Sequence, residues 1–268
     1  MSYLKSPSNC TPHDPNPFAK DGMWGTGWTG LALVEDGPLF VGTSRSGLFH
    51  YGCPLKNQRA AAIVADFIRY ENAHGRTPIL FSSKEIDVDA WVQHALAATL
   101  LPHVLRDTDP EFLVHSTSLD AGRRILRDGQ IKSFARLAEQ GEQPGWHKLR
   151  SSSLGEPPDY DLHVNLGSMD DPWVETMPGS HVAGRFLGPD DPYVPGFRFY
   201  FPTRKIVEAG LDVRVAGAIR VFDSLPLDPF LAAALCVEDA DPTGTASAWT
   251  PRSFTARANE LFRSRLIS

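Results

Sequence analysis

Apolar residues recur at helical spacing over 56–73, where Ala60, Ile63, Val64, Phe67 and Ile68 share one face and Gly75 stops the run. A second helix is expected over 88–103, with Asp87 as its N-cap and Pro102 marking its end. Short apolar runs between turn residues predict strands at 31–34, 39–41 and 77–82. The first two read as a β-hairpin turning through Glu35-Asp36-Gly37-Pro38. Pro78 falls at the start of the third, where a missing N–H is tolerated.

Beyond the break Asp107-Thr108-Asp109-Pro110, the run Phe112-Leu113-Val114-His115 reads as a strand. It leads through Ser116-Thr117-Ser118 into a helix over 119–128, with Ser118 and Asp120 as capping candidates and Gly129 at its left-handed end. Residues 139–160 read as a polar loop. Strands follow at 162–166 and 197–201, then a short helix over 203–210 and a hairpin of 211–215 with 218–222 turning at Ala216-Gly217. Thr250-Pro251 opens a last amphipathic helix with Phe254, Ala258, Leu261, Phe262 and Leu266 on one face. Strands and short helices without regular βαβ alternation point to an α+β fold. The break divides it into an accessory α/β region at 1–108 and a second domain at 109–268.

Composition narrows the classes. With 42% hydrophobic and 22% charged residues, the 268-residue chain is globular rather than disordered. A net charge of -6 argues against coating nucleic acid by bulk electrostatics, though not against an enzyme that touches one nucleotide. Cys10, Cys53 and Cys236 are too scattered for a disulfide framework or a cysteine-rich zinc site. The polar, proline-rich first twenty residues lack the apolar core of a signal peptide, and the apolar stretch over 95–105 is too short for a membrane span. A cytoplasmic protein without a membrane partner is expected. The nine histidines contain no His-Glu-x-x-His and no i, i+4 pair, so no metal site is expected.

Several local motifs are set aside on context. Gly25-x-Gly27-x-x-Gly30 follows no strand and opens no helix, as a dinucleotide site requires. Thr43-Ser44-Arg45-Ser46-Gly47 lacks the lysine and spacing of a P-loop and reads as an ordinary loop. His50 and Cys53 have no identifiable orienting partner, so Cys53 reads as a buried, inert thiol.

Chemistry concentrates after Pro110. A strand delivers His115 and three hydroxyls to the start of a helix, where imidazole and backbone groups can hold a sugar, an amide or an anion. The same residues also suit simple helix capping. In Phe197-Arg198-Phe199-Tyr200-Phe201, alternation places Arg198 and Tyr200 on one face. Arg198 there can grip a pyrophosphate or form an ion pair with a nearby carboxylate.

His115-Ser116-Thr117-Ser118 followed by Ile125-Leu126-Arg127-Asp128-Gly129-Gln130-Ile131 resembles the opening of the histidine-class ADP-ribosyltransferase domain. That family has a strand ending in His-x-Thr and a helix reading Ile-Leu-x-x-Gly. A second stretch, Asp159-Tyr160-Asp161-Leu162-His163-Val164-Asn165-Leu166-Gly167-Ser168-Met169, is similar to the Asp-Tyr-Val-Pro-Phe-Tyr-Phe and Ser-Pro-Met segments of DarT-type transferases, which modify DNA bases. The resemblance implies a split β-sandwich over about 110–228 that takes NAD+ as substrate.

In that site His115 would meet the nicotinamide ribose, Thr117 would support the nicotinamide pocket, Tyr160 would stack on the ring, and Ser116 would join the cofactor-binding residues. Arg198 and Tyr200 complete the expected cofactor-binding set. The reaction would cleave the glycosidic bond and pass ADP-ribose to a nucleic acid or protein. Arg123, Arg124, Arg127 and Lys132 form a basic cluster suited to the former. Positive charge developing at the anomeric carbon calls for a carboxylate, for which Glu175 is the first candidate and Glu208 and Asp223 are alternatives. Two other readings of the same scaffold are a catalytically silent nucleotide- or partner-binding module and an RNA 2′-phosphotransferase-like enzyme.

Overall fold

The computed structural model describes residues 2–36, 40–82, 86–98, 103–142, 157–244 and 248–267, and the chain is mixed α/β with about 34% helix and 26% strand. It separates into two units. The first comprises Met1–Pro102, Arg150–Tyr160 and Val213–Ile219; the second comprises His103–Leu149, Asp161–Asp212 and Arg220–Ser268. The first unit is therefore not the contiguous stretch 1–108, because two later segments build into it.

In the first unit, strands β1 (Leu4–Lys5), β2 (Trp28–Val34), β3 (Phe40–Thr43), β4 (Phe49–Pro54) and β5 (Thr77–Ser82) form one sheet in the order β1-β5-β2-β4-β3. All are parallel except β3, which runs antiparallel at the edge. The expected hairpin between the first two long strands does not form. β2 pairs with β4 and β5, and the hairpin is instead β3–β4. Its turn is held by Ser44, whose Oγ accepts from the Leu48 N–H at 3.0 Å. A continuous apolar run such as Leu31-Ala32-Leu33 suits a strand covered on both faces, which places β2 at the centre rather than in an edge hairpin. Residues 37–39 of the expected turn lie outside the described residues.

Helices α1 (Ala60–Ala73) and α2 (Val88–Ala98) cover one face through Ile63, Val64, Phe67 and Val92, and Trp24 of the N-terminal arm packs on the other. The expected end of the second helix at Pro102 falls outside the described residues. His50 and Cys53 point to opposite faces of β4, and burial pushes the Cys53 thiol up to about 12. They form no catalytic pair.

A buried charged network ties 157–160 into this unit. Glu71 accepts from Thr29 Oγ1 and Tyr160 OH, each at 2.8 Å, and from Arg76 Nε. Arg76 grips Asp159 through both terminal nitrogens, at 2.5 and 3.1 Å, while Tyr70 OH donates to the same carboxylate at 2.6 Å. The other late segment joins the same core through Val213, Val215 and Ala216, and through Gly217, which packs on Ile63 and accepts from Arg59.

In the second unit, β6 (Phe112–Thr117) and β10 (Phe197–Pro202) lie side by side in an antiparallel sheet ordered β14-β10-β6-β9, with β9 at Gly167–Ser168 and β14 at Ala233–Cys236. Helix α3 (Leu119–Asp128) follows β6 at once. Ser118 caps it by accepting from the Ala121 N–H, and Gly129 ends it at φ 69°. The chain then passes through β7 (Gln130–Lys132) and α4 (Phe134–Glu139). Most of the expected polar loop, 143–156, lies outside the described residues, but α4 and a 3₁₀ turn at Pro158–Leu162 occupy its flanks.

Next come β8 (His163–Asn165), α5 (Trp173–Ala183) and α6 (Thr203–Glu208). The expected hairpin is present as β11 (Asp212–Val215) and β12 (Ala218–Phe222), with positive φ at both Ala216 and Gly217. β13 (Ser224–Pro226) pairs with β7, and β12 with β8. The short α7 (Val237–Ala240) precedes α8 (Pro251–Ile267). Phe254, Ala258 and Phe262 of α8 are buried as expected, whereas Leu266, 54% exposed, is not. Among the described residues, no helix is long and apolar enough to cross a membrane.

A fragment of residues 1–108 removes Asp159 and Tyr160 from the Glu71–Arg76 network. It is expected to show no cooperative thermal transition, whereas the full chain shows one; a cooperative melt of the fragment at the parental temperature would refute this. Acid gives a second check. Burial acts to raise the Asp159 carboxyl, but the hydrogen bonds from Arg76 and Tyr70 outweigh it and hold the group below the usual carboxylate range. A depressed folded-state pKa contributes stability above the unfolded value near 4 that is lost as pH falls through the folded one. Asp159→Asn should therefore flatten the acid limb of a stability-versus-pH curve, and an unchanged limb would remove Asp159 from that role.

Candidate functional site

Antiparallel partners share a face, so the β6–β10 register sorts the expected site residues. His115 lies opposite Phe199, and Thr117 opposite Phe197. Ser116 lies opposite Arg198 and Val114 opposite Tyr200, on the other side. The expected site is thereby split between the two faces of one sheet.

The Ser116 face is covered around a buried ion pair, although Ser116 itself is partly exposed. Glu175 on α5 and Arg198 on β10 are 1% and 0% exposed and form a direct ion pair. Ser116 Oγ donates to Glu175 Oε1 at 2.5 Å, and Tyr193 OH donates to Oε2 at 3.3 Å. Arg198 Nη2 donates to the Met169 carbonyl at 2.5 Å. Tyr200 stacks on Phe262 with ring centroids 4.2 Å apart and donates to Asn259 Oδ1 at 3.0 Å. These groups bond one another, as buried polar groups generally must, but the buried Nε of Arg198 has no hydrogen-bond partner. Glu175 and Arg198 are committed to each other, and the Tyr200 ring is stacked on a phenylalanine.

Tyr160 is also displaced from its expected role. It is 2% exposed in the core of the first unit, with its ring edge-on to Phe49 and its hydroxyl on Glu71. The two alternative carboxylates lie beside arginines of their own. Glu208 is exposed on α6, 3.4 Å from Arg204, and Asp223 occupies a left-handed bend after β12, 4.0 Å from Arg136.

The His115 face is different. His115 and Thr117 are partly exposed, side by side on one strand end. His115 Nδ1 is 3.1 Å from the Asn165 carbonyl. A carbonyl only accepts, so Nδ1 carries the proton. Desolvation lowers the pKa of the ring, against the opposing effect of that hydrogen bond, and so favours the neutral form. Nε2 then presents a lone pair, able to accept from a hydroxyl or amide. Helix α3 sits over the same face. A Cβ on Gly122 would come 2.2 Å from the Phe197 ring, so glycine permits this close seat.

Sequence reasoning passed over one charged residue here. Glu238, in the first turn of α7, is exposed and lies 3.6 Å from Arg123 on α3. Hydrogen bonding from the Cys236 thiol, aided by Arg123, holds its carboxyl below the usual range. Cys236 pairs with Phe197, which pairs with Thr117. Two strand spacings separate them, about 10 Å. The signal available in sequence was a carboxylate just beyond a short apolar run, Ala233-Ala234-Leu235-Cys236, next to no recognisable motif.

Among the described residues, no three His, Cys, Asp or Glu side chains are grouped to hold a metal ion. Comparison with known proteins finds no matching family, no matching curated protein and no matching solved structure.

Removing one member of a buried pair strands the other charge, at a cost of about 3–5 kcal/mol. Glu175→Gln is thus expected to lower unfolding stability by roughly that amount in urea titration, while Glu208→Gln on the surface changes it by less than about 0.5 kcal/mol. Equal, small effects would contradict the buried pairing.

Proposed function

We propose that the second unit is an ADP-ribosyltransferase-like domain that uses NAD+ as substrate. The observation that carries this reading is the pairing of His115 and Thr117 on one accessible strand end, with Ser116 turned inward and the His115 proton assigned to Nδ1. Such an arrangement suits a ribose. Nε2 accepts from a ribose hydroxyl, and Thr117 borders the nicotinamide. The antiparallel sheet, with its histidine strand leading at once into a glycine-ended helix and a short strand, supports the split-sandwich assignment.

In the reaction, the bond between C1′ and the nicotinamide nitrogen breaks. Its electron pair goes to the ring, which leaves as neutral nicotinamide. The acceptor attacks C1′ and gives up a proton. Glu238 is the carboxylate offered to the developing positive charge or to the acceptor, in place of Glu175. The exposed Arg124 and Arg127 of α3 favour an anionic acceptor such as nucleic acid over a neutral one.

A second reading, a nucleotide-binding module without catalysis, is favoured by one observation: the carboxylate first expected at the site is locked in the Arg198 pair.

Nicotinamide release from NAD+ and NAD+ binding by calorimetry distinguish the two. The full chain is expected to release nicotinamide. His115→Ala should reduce release about 100-fold, and Glu238→Gln by about two to three powers of ten, with thermal midpoints close to the parent. Binding without release selects the module, and neither binding nor release refutes both. Parental release by Glu238→Gln removes that residue from the assignment.

A further inference from the structure

We propose that the buried Glu175–Arg198 pair, acting through Ser116, is the positioning device that decides which side chains of β6 face the candidate site. Strand side chains alternate, so a one-residue change of phase would put Ser116 on the open face and turn His115 and Thr117 inward. Hydrophobic patterning usually forbids such a change. At the polar end of β6, His115-Ser116-Thr117, it does not. Phe112 and Val114 on one face are matched by Leu113 on the other, and Ser116 on the first by His115 and Thr117 on the second. Phe112 and Val114 favour the observed phase over the first half of the strand, but the last three positions are polar on both faces, so apolar burial does not set their phase.

The contact that discriminates is polar. Ser116 Oγ lies 2.5 Å from Glu175 Oε1 and 3.3 Å from Arg198 Nη1. Glu175 is held in turn by Tyr193, and Arg198 by the Met169 carbonyl, which also accepts from Asn259 at 2.7 Å. An imidazole in place of this hydroxyl would have to fit beside an ion pair that is already fully enclosed. The clamp reaches the strand because β9 offers a glycine. A Cβ on Gly167 would stand 2.2 Å from Val174 Cγ2, beside Glu175, and would push α5 off the sheet.

Ser116, Glu175 and Arg198 are therefore positioning residues. Their value to NAD+ binding rests on the reading above; their effect on the His115 ring is measured in the free protein. The test uses the full chain with 15N-labelled histidine. Ser116→Ala removes the hydroxyl and leaves the ion pair. It is expected to speed amide exchange along β6 and β10 about tenfold and to lose or split the Nδ1–H signal of His115. Ser116→Thr, which keeps a hydroxyl, restores both. If Ser116→Ala does not fold, the double variant Glu175→Leu with Arg198→Met decides. Apolar replacement of a buried pair is compatible with folding, and a cooperative melt with a lost or split His115 signal supports the clamp. An unchanged His115 signal in the folded single or double variant overturns it. Failure of the parent to bind NAD+ or release nicotinamide refutes the functional reading without altering these readouts, so the two failures are distinct.

Discussion

The Glu175–Arg198 ion pair organises the second unit because of what it costs to bury. Two charges removed from water lose several kcal/mol of hydration each, and their attraction compensates to the extent that the remaining polar sites find partners. Here the partners come from four directions: Ser116 on β6, Tyr193 from the segment before β10, the Met169 carbonyl after β9, and Asn259 on α8, which shares that carbonyl. Moving any of these elements alone would leave a buried charge uncompensated. The pair thus acts on placement more than on stability, and its effect ends at the strand that carries His115.

The first unit repeats the arrangement with different residues. Glu71 is buried and paired with Arg76; Thr29 and Tyr160 donate to Glu71, and Asp159, which also accepts from Tyr70, takes the other side of Arg76. Guanidinium packing above the Tyr70 and Tyr160 rings adds a cation–π contribution. In both units, tyrosines and carboxylates that look like catalytic equipment in a sequence serve to balance a buried arginine.

That ambiguity explains what was legible and what was not. The strand 112–117, its helix capped by Ser118 and ended by Gly129, and the turn at Ala216-Gly217 depend on neighbours within a few residues, and their signals are local. The alternation in Phe197-Arg198-Phe199-Tyr200-Phe201 correctly placed Arg198 and Tyr200 on one face, but alternation is blind to what covers that face. Whether arginine meets a ligand or a glutamate 23 positions away is decided by α5 and α8, at distances no periodicity encodes. Tyr160 was beyond reach for a stronger reason: its segment packs against strands about a hundred residues earlier in the chain. The misplaced hairpin has the same origin, since two adjacent apolar runs look alike whether they pair directly or enclose a third strand.

A polar group whose hydrogen bonds are complete within the fold has little left to offer a ligand, whatever its resemblance to a catalyst. By that criterion Glu175, Tyr200 and Tyr160 have little to offer a ligand, and Arg198, committed to Glu175, keeps only its buried Nε without a partner. What remains on the other face of the same sheet is different in kind: an imidazole with one nitrogen fixed and the other presenting a lone pair, a threonine beside it, and an exposed, ionised Glu238. The polar residues inside make that face possible, because a strand polar on both sides needs a buried contact to choose its outward side. Under the proposed reading, positioning and chemistry fall to alternate residues of one strand, so that His115-Ser116-Thr117 would hold both within three positions.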